Sequence, residues 1–256
     1  MHERQLQVPT PDGAMPVFAA IPQDVSAAPG VLVYMDVFGP REELRDIARR
    51  FASCGYVAVL PQLFHRLGGP VFAPIRRADD PLEAAAVRAN DATTLAMSAL
   101  DTRAILDFAA AGGFGIAVES WGAIGYCMGG RHALGAAVSH PERVRAALSV
   151  HGGRLVDASE SSPHLLLERA AVPLHLAFAR DDATCPQAHQ ELLAQLAAAS
   201  AGRVSVEYHE AHHGWSFPER WCFDRHASER VWERALAMFR QALWTTHAPR
   251  RPVCAA

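Results

Sequence analysis

The chain has 256 residues, half of them hydrophobic and a fifth charged, enough apolar material for one sizeable core. A formal net charge of -3 removes the general basic field that nucleic acid or an anionic membrane surface would require, so a small molecule is the expected partner. All 24 basic side chains are arginine, which excludes a Schiff-base lysine, a P-loop lysine and a serine-lysine dyad.

The five cysteines, Cys54, Cys127, Cys185, Cys222 and Cys254, are odd in number, widely spaced and without a CxxC pair. Free thiols in a reducing compartment are expected, one of them a nucleophile. The opening residues lack the apolar run of a secretory signal, and no stretch reaches the ~18 uncharged apolar residues of a membrane span. The expectation is a soluble, cytoplasmic protein forming a single domain over 1–256, as a monomer or homodimer.

In chain order, Gly30 to Tyr34 reads as a buried strand, and residues 41 to 54 as a helix with Leu44, Ile47, Ala48 and Phe51 on one face. Tyr56 to Leu60 is a second buried strand stopped by Pro61. A polar, Gly- and Arg-rich stretch follows, with the question of a lid over residues 64 to 90, and then one or two helices over 82 to 110. Ile116 to Ile124 leads through a strand into Gly125-Tyr126-Cys127-Met128-Gly129-Gly130 and a helix from Arg131 to Val138. Strands over Ala146 to Val150, Leu174 to Phe178 and Val204 to Tyr208 alternate with a helix over Pro186 to Ala199, and a long helix closes the pattern from Ala227 to Trp244. Continuous apolar strands alternating with helices predict an α/β fold, a mostly parallel central sheet covered by helices on both faces. Chemistry then belongs to loops beyond the carboxyl ends of the strands.

Gly-Tyr-Cys-Met-Gly between a strand and a helix has the form of a nucleophile elbow, with Cys127 at its apex and the positive end of the following helix favouring a thiolate or an oxyanion. A cysteine nucleophile requires a histidine base oriented by a carboxylate. Asp181-Asp182 follows one later strand and His212-His213-Gly214 the next, in the chain order nucleophile, acid, histidine. His213, which begins the loop at Gly214, is the preferred base, and either aspartate fits from the residues alone. An oxyanion hole needs two convergent amides, expected from Met128 and from Val37 in the loop Asp36 to Gly39. Asp36 is placed to touch the thiol and tune its protonation.

Two motifs compete. His209-Glu210-Ala211-His212-His213 matches H-E-x-x-H, which would make His209 and His213 zinc ligands if the segment were helical; the alternation of Val204 to Tyr208 argues for a strand instead. His151-Gly152-Gly153 resembles an oxyanion motif, but follows the nucleophile in the chain and reads as a tight loop.

Together these residues resemble the dienelactone hydrolase (carboxymethylenebutenolidase) family of α/β-hydrolases. The likeness is carried by Tyr34 to Gly39, Gly55 to Pro61, Gly125 to Gly130, Asp182 to Pro186 and Ala211 to Gly214. It implies a Cys127-His213-Asp182 triad, since the family's aspartate stands four before a proline and its histidine just before a glycine or serine. The implied activity is an esterase or lactonase that opens a carboxylate-bearing lactone or ester through an acyl-enzyme, without cofactor or metal. The resemblance further implies an acidic group at Asp36 that bonds the resting thiol, and arginines for the substrate carboxylate, for which Arg220, Arg77 and Arg88 are the candidates. The rival readings are a zinc hydrolase and a non-catalytic scaffold of the same fold.

Overall fold

The computed structural model describes residues 1–244. Eight strands form one sheet: β1 (His2–Thr10), β2 (Gly13–Ile21), β3 (Gly30–Tyr34), β4 (Val57–Pro61), β5 (Trp121–Tyr126), β6 (Val144–Val150), β7 (Leu174–Asp181) and β8 (Val204–His212), in the spatial order β1-β2-β4-β3-β5-β6-β7-β8. From β4 to β8 every neighbouring pair is parallel, whereas β2 runs antiparallel to both of its neighbours, β1 and β4. β3, β4 and β5 are buried along their whole length, as expected of strands covered on both faces. The mostly parallel sheet predicted from the apolar runs is thus present, with an added antiparallel margin.

That margin departs from the sequence reading, which assigned no structure before residue 30. β1 is exposed along most of its length, so it offers no apolar run, and among the described residues its register is fixed by pairing with β2 alone.

The helices fall into two layers. α1 (Glu42–Ser53) buries Leu44, Ala48, Phe51 and Ala52. Its Phe51 ring lies 4.5 Å from Trp232 and 5.9 Å from Phe239, both on α7 (Arg225–Leu243), so these two helices share one face. α2 (Ala84–Ala92), α3 (Leu95–Ala110), α4 (Met128–Ser139), α5 (Leu165–Glu168) and α6 (Gln187–Ala199) complete the chain. Alternation along β5 separates the layers: a Cβ on Gly122 would meet Phe239 of α7 at 2.5 Å, whereas one on Gly125, three residues on, would meet α4. Among the described residues no helix is long and apolar enough to cross a membrane.

Candidate active site

β5 and α4 meet at Cys127, whose backbone sits at φ 53°, ψ -115°. For a residue with a side chain this is a strained conformation costing of order 1–3 kcal/mol, kept only where the surroundings enforce it. Here they do. The Cys127 amide donates to the Val150 carbonyl at 3.1 Å, and the Cys127 carbonyl accepts from the amides of Gly130 and Gly153, each at 3.1 Å. The flanking glycines are required by close approach: a Cβ on Gly129 would lie 2.4 Å from the Tyr34 carbonyl oxygen, so only hydrogen fits between elbow and β3. Cys127 is a free thiol, partly exposed, at the start of α4.

β7 and β8 deliver the remaining groups. Their register pairs Asp181 with His212, so the two chains leave the sheet side by side and Asp182 and His213 emerge together. Asp182 Oδ2 accepts from His213 Nδ1 at 2.7 Å. Its Oδ1 accepts from the Thr184 hydroxyl at 2.7 Å and from the amides of Thr184 and Cys185 at 2.8 and 3.2 Å. Burial alone would raise the Asp182 pKa, but these bonds and the imidazole outweigh it and hold the carboxyl below its ordinary range. The adjacent pair makes the same contact in solvent: His212 Nδ1 lies 2.7 Å from Asp181, with side chains 52% and 78% exposed, against 17% and 2% for His213 and Asp182. Burial distinguishes the two pairs where the residue types do not.

Burial also disfavours a charged His213, yet the negative charge of Cys127 and the hydrogen bond to Asp182 prevail and push its pKa up to about 10. The ring rests edge-on against His151, 5.2 Å between centroids. His151 itself is fully buried at φ 38°, with Nε2 3.1 Å from the Ser216 hydroxyl and its pKa lowered well below the ordinary value by burial and by His213. The His-Gly-Gly segment is thus a tight loop, and it packs against the His213 ring and braces the elbow through Gly153.

Val37 and Met128 line the same cavity as Cys127, and among the described residues neither amide donates to a loop acceptor or side chain. Two free N–H groups beside a nucleophile are what an oxyanion hole requires. Asp36 departs from its expected partner. Its Oδ1 accepts from the Phe38 amide at 3.0 Å and from Arg41 Nη1 at 2.6 Å, and its Oδ2 is buried without a hydrogen-bond partner. Arg41 is bonded in turn to Glu219. The aspartate's short side chain is committed to its own loop and to the residue that precedes α1, and neither oxygen is bonded to the sulfur.

The arginines also differ from expectation. Arg77 is 77% exposed and pairs with the equally open Asp79 at 3.4 Å, and Arg88 lies on the exposed side of α2. Neither reaches the cavity wall. Arg220 is buried, packed against Gly214 in the histidine loop and 5.2 Å from the Phe38 ring centroid. The cavity beside Cys127, about 100 Å³, is bordered instead by Arg131 and Arg154, with Asn90, Leu82 and Val87 contributed by the stretch about α2. The middle of the chain therefore walls the site. Arg131 was legible as the residue four after Cys127, one helical turn behind it on the same face, but it lies inside a helix and not in a loop beyond a strand.

The H-E-x-x-H segment belongs to β8 and not to a helix, so its histidines are not stacked one turn apart. His209 packs on Trp215 at 5.0 Å, while His213 turns to Asp182. Among the described residues no group of three or more histidine, cysteine or acidic side chains is arranged to hold a metal. Cys127, Cys185 and Cys222 are free thiols as expected; Cys54 is disulfide-bonded, contrary to a reading based only on sequence spacing, and Cys254 lies outside the described residues.

Comparison with known proteins gives a consistent result. The model of the dienelactone hydrolase family matches residues 15–243. Two similar proteins carry putative names. A carboxymethylenebutenolidase of Escherichia coli (strain K12) is 30% identical over 240 residues, 91% of this chain and 85% of its own. A dienelactone hydrolase of Klebsiella pneumoniae subsp. pneumoniae superposes with a TM-score of 0.82 at 25% identity, over 94% of this chain and 98% of its own. A dienelactone hydrolase-like promiscuous phosphotriesterase from metagenomic libraries shares the fold, with a TM-score of 0.76 at 20% identity over 95% of this chain and its own full length. Carried by a family match over nearly the whole chain and by the α/β-hydrolase sheet beneath the elbow, the conclusion is that this chain belongs to the dienelactone hydrolase family and is a carboxylic ester or lactone hydrolase.

Proposed function

We propose that the protein opens a lactone or ester, one bearing a carboxylate, through an acyl-enzyme on Cys127. The observation that carries this reading is a strained, partly exposed thiol at the elbow together with a partly buried imidazole whose Nδ1 is fixed by Asp182, whose Nε2 has no hydrogen-bond partner among the described residues, and whose pKa the Cys127 side chain helps to raise. His213 takes the thiol proton, and Sγ attacks the carbonyl carbon. The amides of Val37 and Met128 hold the resulting oxyanion. As the C–O bond breaks, the proton on His213 passes to the leaving oxygen. Water then attacks the thioester with His213 as base, the C–S bond breaks, and the acid is released with the thiol restored. Asp182 fixes the tautomer and stabilises the imidazolium without itself becoming protonated.

The test is hydrolysis of small activated esters and of dienelactone by the purified protein. Cys127→Ala is expected to abolish turnover, and the wild type to show a burst of leaving group with an acyl adduct on Cys127 by mass spectrometry. Full activity in Cys127→Ala, or a zinc ion whose chelation removes activity, would overturn the reading.

A further inference from the structure

Thr184, two residues after Asp182, carries a hydroxyl that touches both members of the acid–base pair. Its Oγ1 lies 2.7 Å from Asp182 Oδ1 and 3.1 Å from His213 Nδ1. Chemistry fixes the direction of these bonds. Asp182 is held below the ordinary carboxyl range, so it is a carboxylate that can only accept. The single hydroxyl hydrogen of Thr184 is therefore committed to Oδ1, and toward His213 its oxygen presents lone pairs alone. Nδ1 must then carry the hydrogen, shared between Asp182 Oδ2 at 2.7 Å and Thr184 Oγ1 at 3.1 Å. The shared bond holds in the neutral ring and in the imidazolium, and it leaves Nε2 as the nitrogen that exchanges a proton with the sulfur.

The main chain fixes Thr184 from the other side. In the loop over residues 151–154, the Gly153 amide donates to the Cys127 carbonyl at 3.1 Å, and the next amide, of Arg154, donates to the Thr184 carbonyl at 2.9 Å. Two consecutive amides thus tie the elbow to the threonine, and Arg154 keeps this course at φ 53°. The loop passes close by: a Cβ on Gly153 would stand 2.9 Å from Thr184 Oγ1 and 3.7 Å from His213 Cε1. Thr184 and Gly153 both line the cavity beside Cys127, whereas Asp182 and His213 are not part of its wall. Thr184 is thus the wall residue that is hydrogen-bonded to the acid–base pair.

We propose that Thr184 is a positioning residue for His213: its hydroxyl, with the hydrogen given to Asp182, is a second acceptor for Nδ1, and the amides of Gly153 and Arg154 hold it in register with the elbow. A hydrogen bond with a charged partner contributes more than one between neutral groups, so the effect is largest when the ring is an imidazolium. The assignment rests on the acyl-enzyme reading above and adds a residue that the nucleophile, acid and base do not include. It also gives the His-Gly-Gly loop a part in the chemistry, as the backbone link between Cys127 and Thr184.

The experiment measures kcat and KM on 4-nitrophenyl acetate, and the midpoint of the His213 ring by NMR, on the full chain. Thr184→Val keeps the shape and removes the hydroxyl. Its kcat is expected to fall about tenfold with KM within about twofold, and its His213 midpoint to drop by about half a unit or more. Thr184→Ser, which restores the hydroxyl, should recover most of both. Should Thr184→Val not fold, Thr184→Ala is compared with Thr184→Ser in its place. A purely structural threonine would lower the unfolding midpoint of the valine variant and leave the His213 midpoint where it was, and that result would overturn the inference. So would a serine variant as slow as the valine one, or a loss confined to KM. Full turnover in Cys127→Ala would overturn the acyl-enzyme reading, while the His213 midpoint would still decide the role of Thr184.

Discussion

Gly125 and Gly129 face each other across the elbow so closely that a Cβ on Gly125 would stand 1.9 Å from the Gly129 carbonyl oxygen and 2.8 Å from the Gly130 nitrogen. Both obstacles are backbone, and neither can swing aside. Gly125→Ala is expected to cost more than about 4 kcal/mol or to prevent folding, as a strained clash in a packed core does. Gly135, farther along the same helix, meets only a Leu95 methyl at 3.4 Å. Gly135→Ala should leave stability equal or raise it by about 0.5–1 kcal/mol through helix propensity. Denaturant titration of the two variants checks the contrast.

Asp182 holds His213 through one oxygen and is itself held through the other. Asp182→Asn should leave the geometry largely in place but present the imidazole in the wrong tautomer. Its kcat is expected to fall by about 10²–10⁴ with little change in KM. Asp181→Asn, removing the exposed counterpart that pairs with His212, should change kcat by less than about twofold. Steady-state kinetics on one activated ester measures both.

The raised His213 pKa makes stability depend on alkaline pH. A folded pKa of about 10 against an ordinary 6.5 means the contribution is full below about pH 6.5 and is lost as pH rises through 10. Asp182, with a lowered pKa, contributes above its ordinary 3.8 and loses that contribution as pH falls through its folded value. Unfolding midpoints across pH should therefore decline on the alkaline side, and His213→Gln should flatten that limb. An NMR titration of the His213 ring should show its midpoint well above 7 and moving down in Cys127→Ala.

Asp36 and Arg41 form a buried pair at 2.6 Å. Asp36→Asn removes the charge while Glu219 continues to hold Arg41, so the expected loss is about 2–3 kcal/mol, below the usual penalty for orphaning a buried charge. Since neither oxygen of Asp36 is bonded to Cys127, the pH midpoint for alkylation of Cys127 should move by less than about half a unit. A larger move would show that the carboxylate does act on the sulfur.

The strands that bear the site were legible because they are enclosed: Gly30 to Tyr34 is apolar throughout and Leu174 to Phe178 is apolar but for His175, and each stops close to the residue that matters. β1 was not, since its residues face water and alternation has no apolar partner to reveal it. Cys127 was legible from the glycines that the turn demands. The choice of Asp182 over Asp181 rested on the family pattern, because solvent exposure is what separates them and the sequence carries no direct mark of it. Arg77 and Arg88 are candidates from the family likeness and their charge, and charge without a helical period does not say which way a side chain points. Arg131 carried both signals, a cation inside a helix of small residues and a fixed offset from the elbow.

The sulfur and the imidazole are mounted on strands of unequal tenure. β5 lies in the interior of the sheet, hydrogen-bonded to β3 and β6, whereas among the described residues β8 is at the edge and pairs with β7 alone. Outer strands fray at a lower free energy than inner ones, so in mild denaturant the His213 imidazole should detach while the Cys127 thiol is still seated. Inactivation would then precede the cooperative transition, and amide deuteration would reach Tyr208 and His209 well before Ile124 and Gly125.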